Sequence, residues 1–185
     1  GVGRGVFSNE AGLGSAPIAH ASSSETDPVK QGLYGVFEVF ADTIVICTMT
    51  ALVVLSSNIV PWGNADMAGA DTTILAFGTV LGPKVSSIFI AIAILFFAFS
   101  TILSWSLYGQ RCFAYLTKGR GVIVYQIAFI ATVVIGATLK LSLVWNIADT
   151  MNGFMAVPNL IALLALSGTV VKLTKEHFNG DRLSR

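Results

Sequence analysis

VSSIFIAIAILFFAFSTILSWSLYGQ, residues Val85 to Gln110, runs for 26 positions without a charged side chain. At about 1.5 Å per residue a helix of that length reaches about 39 Å, beyond the roughly 30 Å of a bilayer's hydrocarbon core. A surface helix of a water-soluble protein would carry a charged face, and this stretch has none. It decides the fold class as all-α and membrane-spanning.

Working outward, three further stretches read the same way. One is uncharged from Thr43 to Ala65 and its apolar part begins upstream near Gln31, giving a span from about Gln31 to Leu55. Its start is marked by Asp27, an acceptor for orphan N–H groups, and Pro28, preset for the first turn, which gives a helix over 28–55. Another is 121–139, uncharged and rich in Ile, Val and Ala. The last is uncharged from Met151 to Val171 and extends back to Leu141, giving a helix over 141–174. It should bend near Ala156 to Pro158, because an interior proline removes a hydrogen bond and crowds the preceding turn. Residues 56–84 form a long loop with Asn58, Pro61, Gly63, Asn64, Asp66, Gly69 and Asp71. That loop carries one short helix, Thr73 to Leu81, that cannot span. Residues 175–185 are a polar tail.

The bulk composition agrees, with 54% hydrophobic and 11% charged residues in a chain of 185. Soluble domains carry about 25% charged residues. A net charge of +1 with scattered bases excludes nucleic acid as a partner. Cys47 and Cys112 have neither disulfide nor zinc spacing and read as small buried side chains. Lysine and arginine set the orientation, since cytoplasmic connections carry the excess. Arg4, Lys30, Arg111, Lys118, Arg120, Lys172, Lys175, Arg182 and Arg185 fall on one side of four spans, and only Lys84 and Lys140 on the other. Splitting the last helix at Pro158 would give five against six, so charge bias favours one kinked helix and a cytoplasmic C-terminus.

Residues 1–20, GVGRGVFSNEAGLGSAPIAH, behave as neither span nor ordinary loop. Five glycines, each costing about 1 kcal/mol relative to alanine in a helix interior, suggest backbone that unwinds or approaches something closely. Transporters use such broken helices near the bilayer midplane, and a solvated glycine-rich loop is the plain alternative. A dinucleotide site is excluded, because no strand precedes and neither a GxGxxG nor a phosphate-loop lysine spacing is present.

RGVFSNEAGLGSAPIAHA (Arg4 to Ala21), PVKQGLYGVFEVFADTIVICTMTALVVL, FAFSTILSWSLYGQRC and VWNIADTMNGFMAVPNLIALL closely resemble the alanine or glycine:cation symporter family, that is, sodium:alanine symporters. The resemblance covers nearly the whole chain and implies a leucine-transporter-like fold of two inverted five-helix repeats. It makes this chain a C-terminal fragment, with no initiator methionine and without the first repeat. Residues 1–20 would end a broken sixth core helix, 28–55, 85–110, 121–139 and 141–174 would be core helices seven to ten, and 56–84 an extracellular lid segment. The four transmembrane helices would sit in a bacterial inner membrane.

Site residues follow from chemistry and that context together. Ser100 and Thr101 are adjacent hydroxyls deep in the second span. In lipid such groups commonly bond the carbonyl a turn back, but on the eighth core helix the resemblance implies a sodium site. Ser8, Asn9, Gly12, Asn152 and Met155 are candidate substrate contacts for an alanine-like carboxylate and ammonium. Arg4 and Glu10 could pair and shape an inner gate. Glu38 and Asp42 share a helix face, and Asp42, the deeper, suits a buried contact or ion path. Asn146, Asp149, Thr150 and Gly153 complete a polar patch beside Trp145, and Trp62, Trp105 and Trp145 suit interfacial positions. His20 and His177 stand isolated in sequence and read as structural.

The resulting expectation is sodium-coupled symport of a small neutral amino acid, alanine or glycine as the resemblance implies, across the plasma membrane by alternating access. Sodium is a co-transported ligand rather than a cofactor, and the partners are that substrate, the lipid bilayer and the missing N-terminal repeat. Clustered His, Asp or Glu with catalytic spacing is absent from the sequence, which argues against a membrane enzyme. The rival class is a non-transporting structural or ion-conducting subunit of a membrane complex.

Overall fold

The computed structural model describes residues 2–59 and 69–180, and among them there are helices and connections but no strands. The helices are α1 (Val2–Asn9), α2 (Ala16–His20), α3 (Pro28–Val39), α4 (Thr48–Ser56), α5 (Ala70–Leu81), α6 (Pro83–Thr117), α7 (Val122–Thr138) and α8 (Leu141–Phe178). A π-helical segment of 8 residues, Phe40–Cys47, joins α3 to α4, so Pro28–Ser56 is one continuous helix. Two compact units are distinguished, one of residues 1–39 with 106–185 and one of 40–105.

Among the described residues three helices are long and apolar enough to cross a membrane: Pro28–Ser56, Pro83–Thr117 and Leu141–Phe178. This differs from the four expected from sequence. The stretch at 121–139 forms a helix of only 17 residues, because Gly121 is left-handed at φ 72 and Leu139 is extended. Its length is about 25 Å, the short end of spanning length. α8 continues through Pro158 as a single helix of 38 residues. The proline leaves the Phe154 carbonyl without its usual N–H partner.

In the first unit, α3 begins where Asp27 caps it. Its Oδ1 accepts from the backbone N–H of Val29 at 2.9 Å and of Lys30 at 3.3 Å, while Oδ2 lies 2.7 Å from Nδ1 of His177 near the end of α8. Burial works against its charge, but those N–H groups and the His177 ring hold the Asp27 carboxyl below its ordinary range. The end of α6 is tied to α7: Gln126 donates to Gln110 at 3.1 Å, Gln110 to Ser106 at 2.9 Å, and the Tyr125 hydroxyl lies directly over Gly109.

In the second unit, α5 turns into α6 through Gly82, at φ 80, and Pro83. The corner is closed by the buried Ser86 hydroxyl, which donates to the Ile74 carbonyl, and by Phe77 against Phe89 at 5.9 Å. Among the described residues the buried apolar side chains are Leu13, Ala76, Ile90 and Tyr108 alone, while leucines, isoleucines and phenylalanines line the outside of every long helix. Apolar exposure on this scale needs lipid or further polypeptide over it. Cys47 and Cys112, read as buried, are both exposed, because each lies on a helix face that no neighbouring helix covers.

Candidate functional site: a broken helix docked on a polar helix face

The first unit holds the glycine-rich interruption. The chain stays helical through Gly3 and Gly5, so the break is shorter than composition suggests and is confined to 10–15. Glu10, Gly12 and Gly14 have φ of 55, 79 and 82, which stops α1 within one turn. Polar side chains hold the turn: Asn9 Oδ1 accepts the Ala11 N–H at 2.9 Å, and the buried Ser15 hydroxyl donates to Glu10 Oε2 at 2.7 Å. Ser8 is exposed on the last turn of α1. The Arg4 side chain lies outside the described residues, so the gate pairing with Glu10 does too; Glu10 itself is engaged by Ser15.

This turn is seated on α8. Asn159 donates its amide to the Gly12 carbonyl at 3.0 Å, and its Oδ1 would lie 2.8 Å from a Cβ placed on Gly14, so only glycine admits that approach. Further along, Phe7 packs edge-on against Trp145 with ring centroids 5.3 Å apart. From Trp145 to Asn159 is about 21 Å along the axis, or about four turns, and the two bracket one face of α8. Trp145, Ala148, Asn152, Met155, Ala156 and Asn159 follow the spacing of one helix face. Each is buried or half-buried while the residues between them are exposed. Asn152, 9% exposed, sits midway. The candidate contacts Asn152 and Met155 are thus on the face that receives the break, whereas Asn146, Asp149, Thr150 and Gly153 are exposed.

The second unit carries the hydroxyl pair. Ser100 and Thr101 both donate to the Phe97 carbonyl, at 3.0 and 2.8 Å. This is the local bond expected of hydroxyls in lipid. Both bonds leave lone pairs on the hydroxyl oxygens, so three oxygens gather at one point of α6. Both residues are exposed. Asp42 lies half-buried in the π-helical segment, next to Thr43. Such segments occur mostly as single wide turns and often at functional positions, and composition does not announce them.

Sequence reading misses several partners. His20 is not isolated: Nδ1 is 2.6 Å from Gln31 Nε2 and Nε2 is 3.4 Å from Glu38, over Gly35. His177 is likewise held by Asp27. Asn159 carries a findable signal, lying one heptad beyond Asn152 and two beyond Trp145. Trp145 packs on Phe7 rather than standing as a bare interfacial anchor, and Trp62 lies outside the described residues.

The model of the sodium:alanine symporter family matches residues 1–184. The chain belongs to that family. It is 49% identical to an uncharacterized transporter of Haemophilus influenzae, over 96% of this chain and 39% of that protein. It is also 49% identical to the sodium/alanine symporter AgcS of Methanococcus maripaludis, over 95% of this chain and 38% of that protein. Its identity to the probable sodium/glutamine symporter GlnT of Bacillus subtilis is 40%, over 96% of this chain and 37% of that protein. No solved structure matches. The chain spans about two-fifths of the length of these relatives. The family is one of transporters rather than enzymes, and the long apolar helices agree with a multi-pass membrane protein.

Proposed function

We propose that this chain is the C-terminal part of a symporter that couples inward sodium flow to uptake of a small neutral amino acid, alanine or glycine, by alternating access. The observation that carries the reading is the interrupted backbone at Glu10 to Ser15 seated on the Asn152–Asn159 face of α8. Irregular backbone in a membrane protein is tolerated where it lines a cavity or is covered by protein, and broken helices offer N–H groups to a carboxylate and carbonyls to a cation. Ser8, Asn9, Gly12, Asn152 and Met155 would contact substrate, Ser100 and Thr101 would give sodium two oxygens, and Arg4, Glu10 and Asp42 would serve gating or coupling. The relative at 49% is named for alanine and the one at 40% for glutamine, which supports the smaller substrate.

In this reading the fold is leucine-transporter-like, with residues 1–20 ending core helix six and the later helices serving as seven to ten. The first repeat supplies the other half of the site. The membrane is the bacterial inner membrane, with the C-terminus cytoplasmic. Sodium orders the broken segment, and each ligand tightens the other reciprocally.

The test is alanine uptake into vesicles containing the full-length protein. A sodium gradient should drive accumulation, and Ser100→Ala or Thr101→Ala should raise the sodium concentration required. Uptake indifferent to sodium overturns the reading.

A further inference from the structure

We propose that the α6–α7 corner, through Arg111, Lys118 and Arg120, is a docking surface for the phosphate headgroup of an anionic phospholipid. This goes beyond transport and needs only that the chain lie in a bilayer. Length comes first. α6 has 35 residues. That is about 52 Å of helix against roughly 30 Å of hydrocarbon, so one end must enter the headgroup layer. Its uncharged run ends at Gln110, and Arg111 opens the part that overhangs.

The corner faces outward in a defined way. Phe113 and Thr117 are half-buried on the α7 side, where Phe113 lies 5.6 Å from Tyr125, whereas Arg111, Cys112, Tyr115 and Leu116 are exposed on the other. Tyr115 is 86% and Leu116 78% exposed. An aromatic and an apolar group beside a base is the composition of a membrane–water boundary. Immediately after α6, Lys118, Gly119 and Gly121 have φ of 52, 81 and 72, so the chain reverses tightly and keeps Lys118 and Arg120 close to the helix end. The Gln110–Gln126 bond and the Tyr125–Gly109 contact hold the corner together.

Charge selects the occupant. No Asp or Glu occurs anywhere from Thr72 to Ala148, and among the described residues none of the three bases has an ion-pair partner. Lys172, by comparison, has Glu176 at 3.8 Å. Three exposed bases flanked by a tyrosine and a leucine fit a lipid phosphate with its acyl chains alongside, and fit a free anion less well. Each base near an anionic surface contributes roughly fivefold in affinity, so neutralising three should cost on the order of a hundredfold.

The experiment uses the full-length protein in detergent, with lipid retention compared by native mass spectrometry for phosphatidylglycerol and phosphatidylcholine. Wild type should retain phosphatidylglycerol preferentially, and R111Q/K118Q/R120Q should lose that preference. R111K/K118R/R120K, which keeps the charges, and Lys172→Gln should both retain it. Millimolar inorganic phosphate should not displace the lipid. Equal retention of both lipids by wild type, an undiminished preference in the neutral triple variant, or displacement by free phosphate overturns the proposal. So does loss of thermal stability in the neutral variant with lipid preference intact, which would place the bases against acidic side chains elsewhere in the polypeptide.

Discussion

The side-chain amide of Asn159 donates to the backbone carbonyl of Gly12 at 3.0 Å, joining positions 147 residues apart. One bond therefore fixes where the interruption after α1 sits along α8. Asn159→Asp keeps size but removes the donor and sets a carboxylate against a carbonyl. Loss of one such bond costs about 1 kcal/mol, and the charge adds to it. The expected outcome is a lower unfolding temperature in the full-length protein and a raised alanine KM, with Asn159→Gln milder; identical uptake kinetics would show that the docking is incidental.

Gly14→Ala should be harsher than Gly12→Ala. Both positions have left-handed backbone, which costs a non-glycine residue on the order of 1–3 kcal/mol. At Gly14 the new methyl also overlaps Asn159, whereas at Gly12 the nearest atom is on Leu160 at 3.7 Å, an ordinary contact. Thermal unfolding of the two variants ranks them, and the double variant Gly14→Ala with Asn159→Ala should recover part of the loss.

Gln110 and Gln126 provide a double-mutant cycle. Both amides are half-buried and bonded to each other. Each single change to leucine strands the partner's amide, while changing both leaves an apolar contact. The coupling should be about 0.6 kcal/mol, the average for interhelical bonds in membranes, and no more than about 1.7 kcal/mol. Additive losses would show that the two amides do not interact.

Gly109→Ala would place its methyl on the Tyr125 hydroxyl and the ring carbon that bears it. It should destabilise the same helix pair by about 1–3 kcal/mol. Tyr125→Leu in that background should return part of the stability. A neutral Gly109→Ala would mean that α7 shifts freely along α6.

Asp27 predicts a pH effect. Its carboxyl is held below its ordinary range. It therefore contributes stability that is present above the unfolded value of about 4 and is lost as pH falls through the lower folded value. Wild-type unfolding temperature should fall on acidification below about pH 4. Asp27→Asn should flatten that dependence while its amide oxygen still caps the helix, whereas Asp27→Ala should also leave the amides of Val29 and Lys30 frayed in hydrogen exchange.

What can be read in advance depends on where the information lies. Spanning helices come from composition over some twenty residues, and the start of α3 comes from two adjacent residues, Asp27 and Pro28, so both are legible. The helix at 121–139 is legible as well, and only its exact ends are not, since they turn on the backbone angles of Gly121 before it and Leu139 after it. Gly3 and Gly5 stay helical while Gly12 and Gly14 do not, a difference that goes with the local bonds of Asn9, Glu10 and Ser15 and with the Asn159 contact, and not with glycine alone. The wide turns of Phe40–Cys47 and the His20–Gln31–Glu38 cluster likewise depend on hydrogen bonds that composition does not encode. Ser100 and Thr101 show the limit from the other side: their chemistry is visible in the sequence, and the structure adds the shared carbonyl of Phe97.

With so few side chains tucked away from solvent, water cannot be the medium in which this polypeptide acquires its shape. Released from a ribosome into aqueous buffer, neighbouring copies would stick to one another through their greasy flanks before any corner or turn could form. Insertion has to come first and tertiary contacts second, so refolding trials that begin from urea should be started in the presence of micelles.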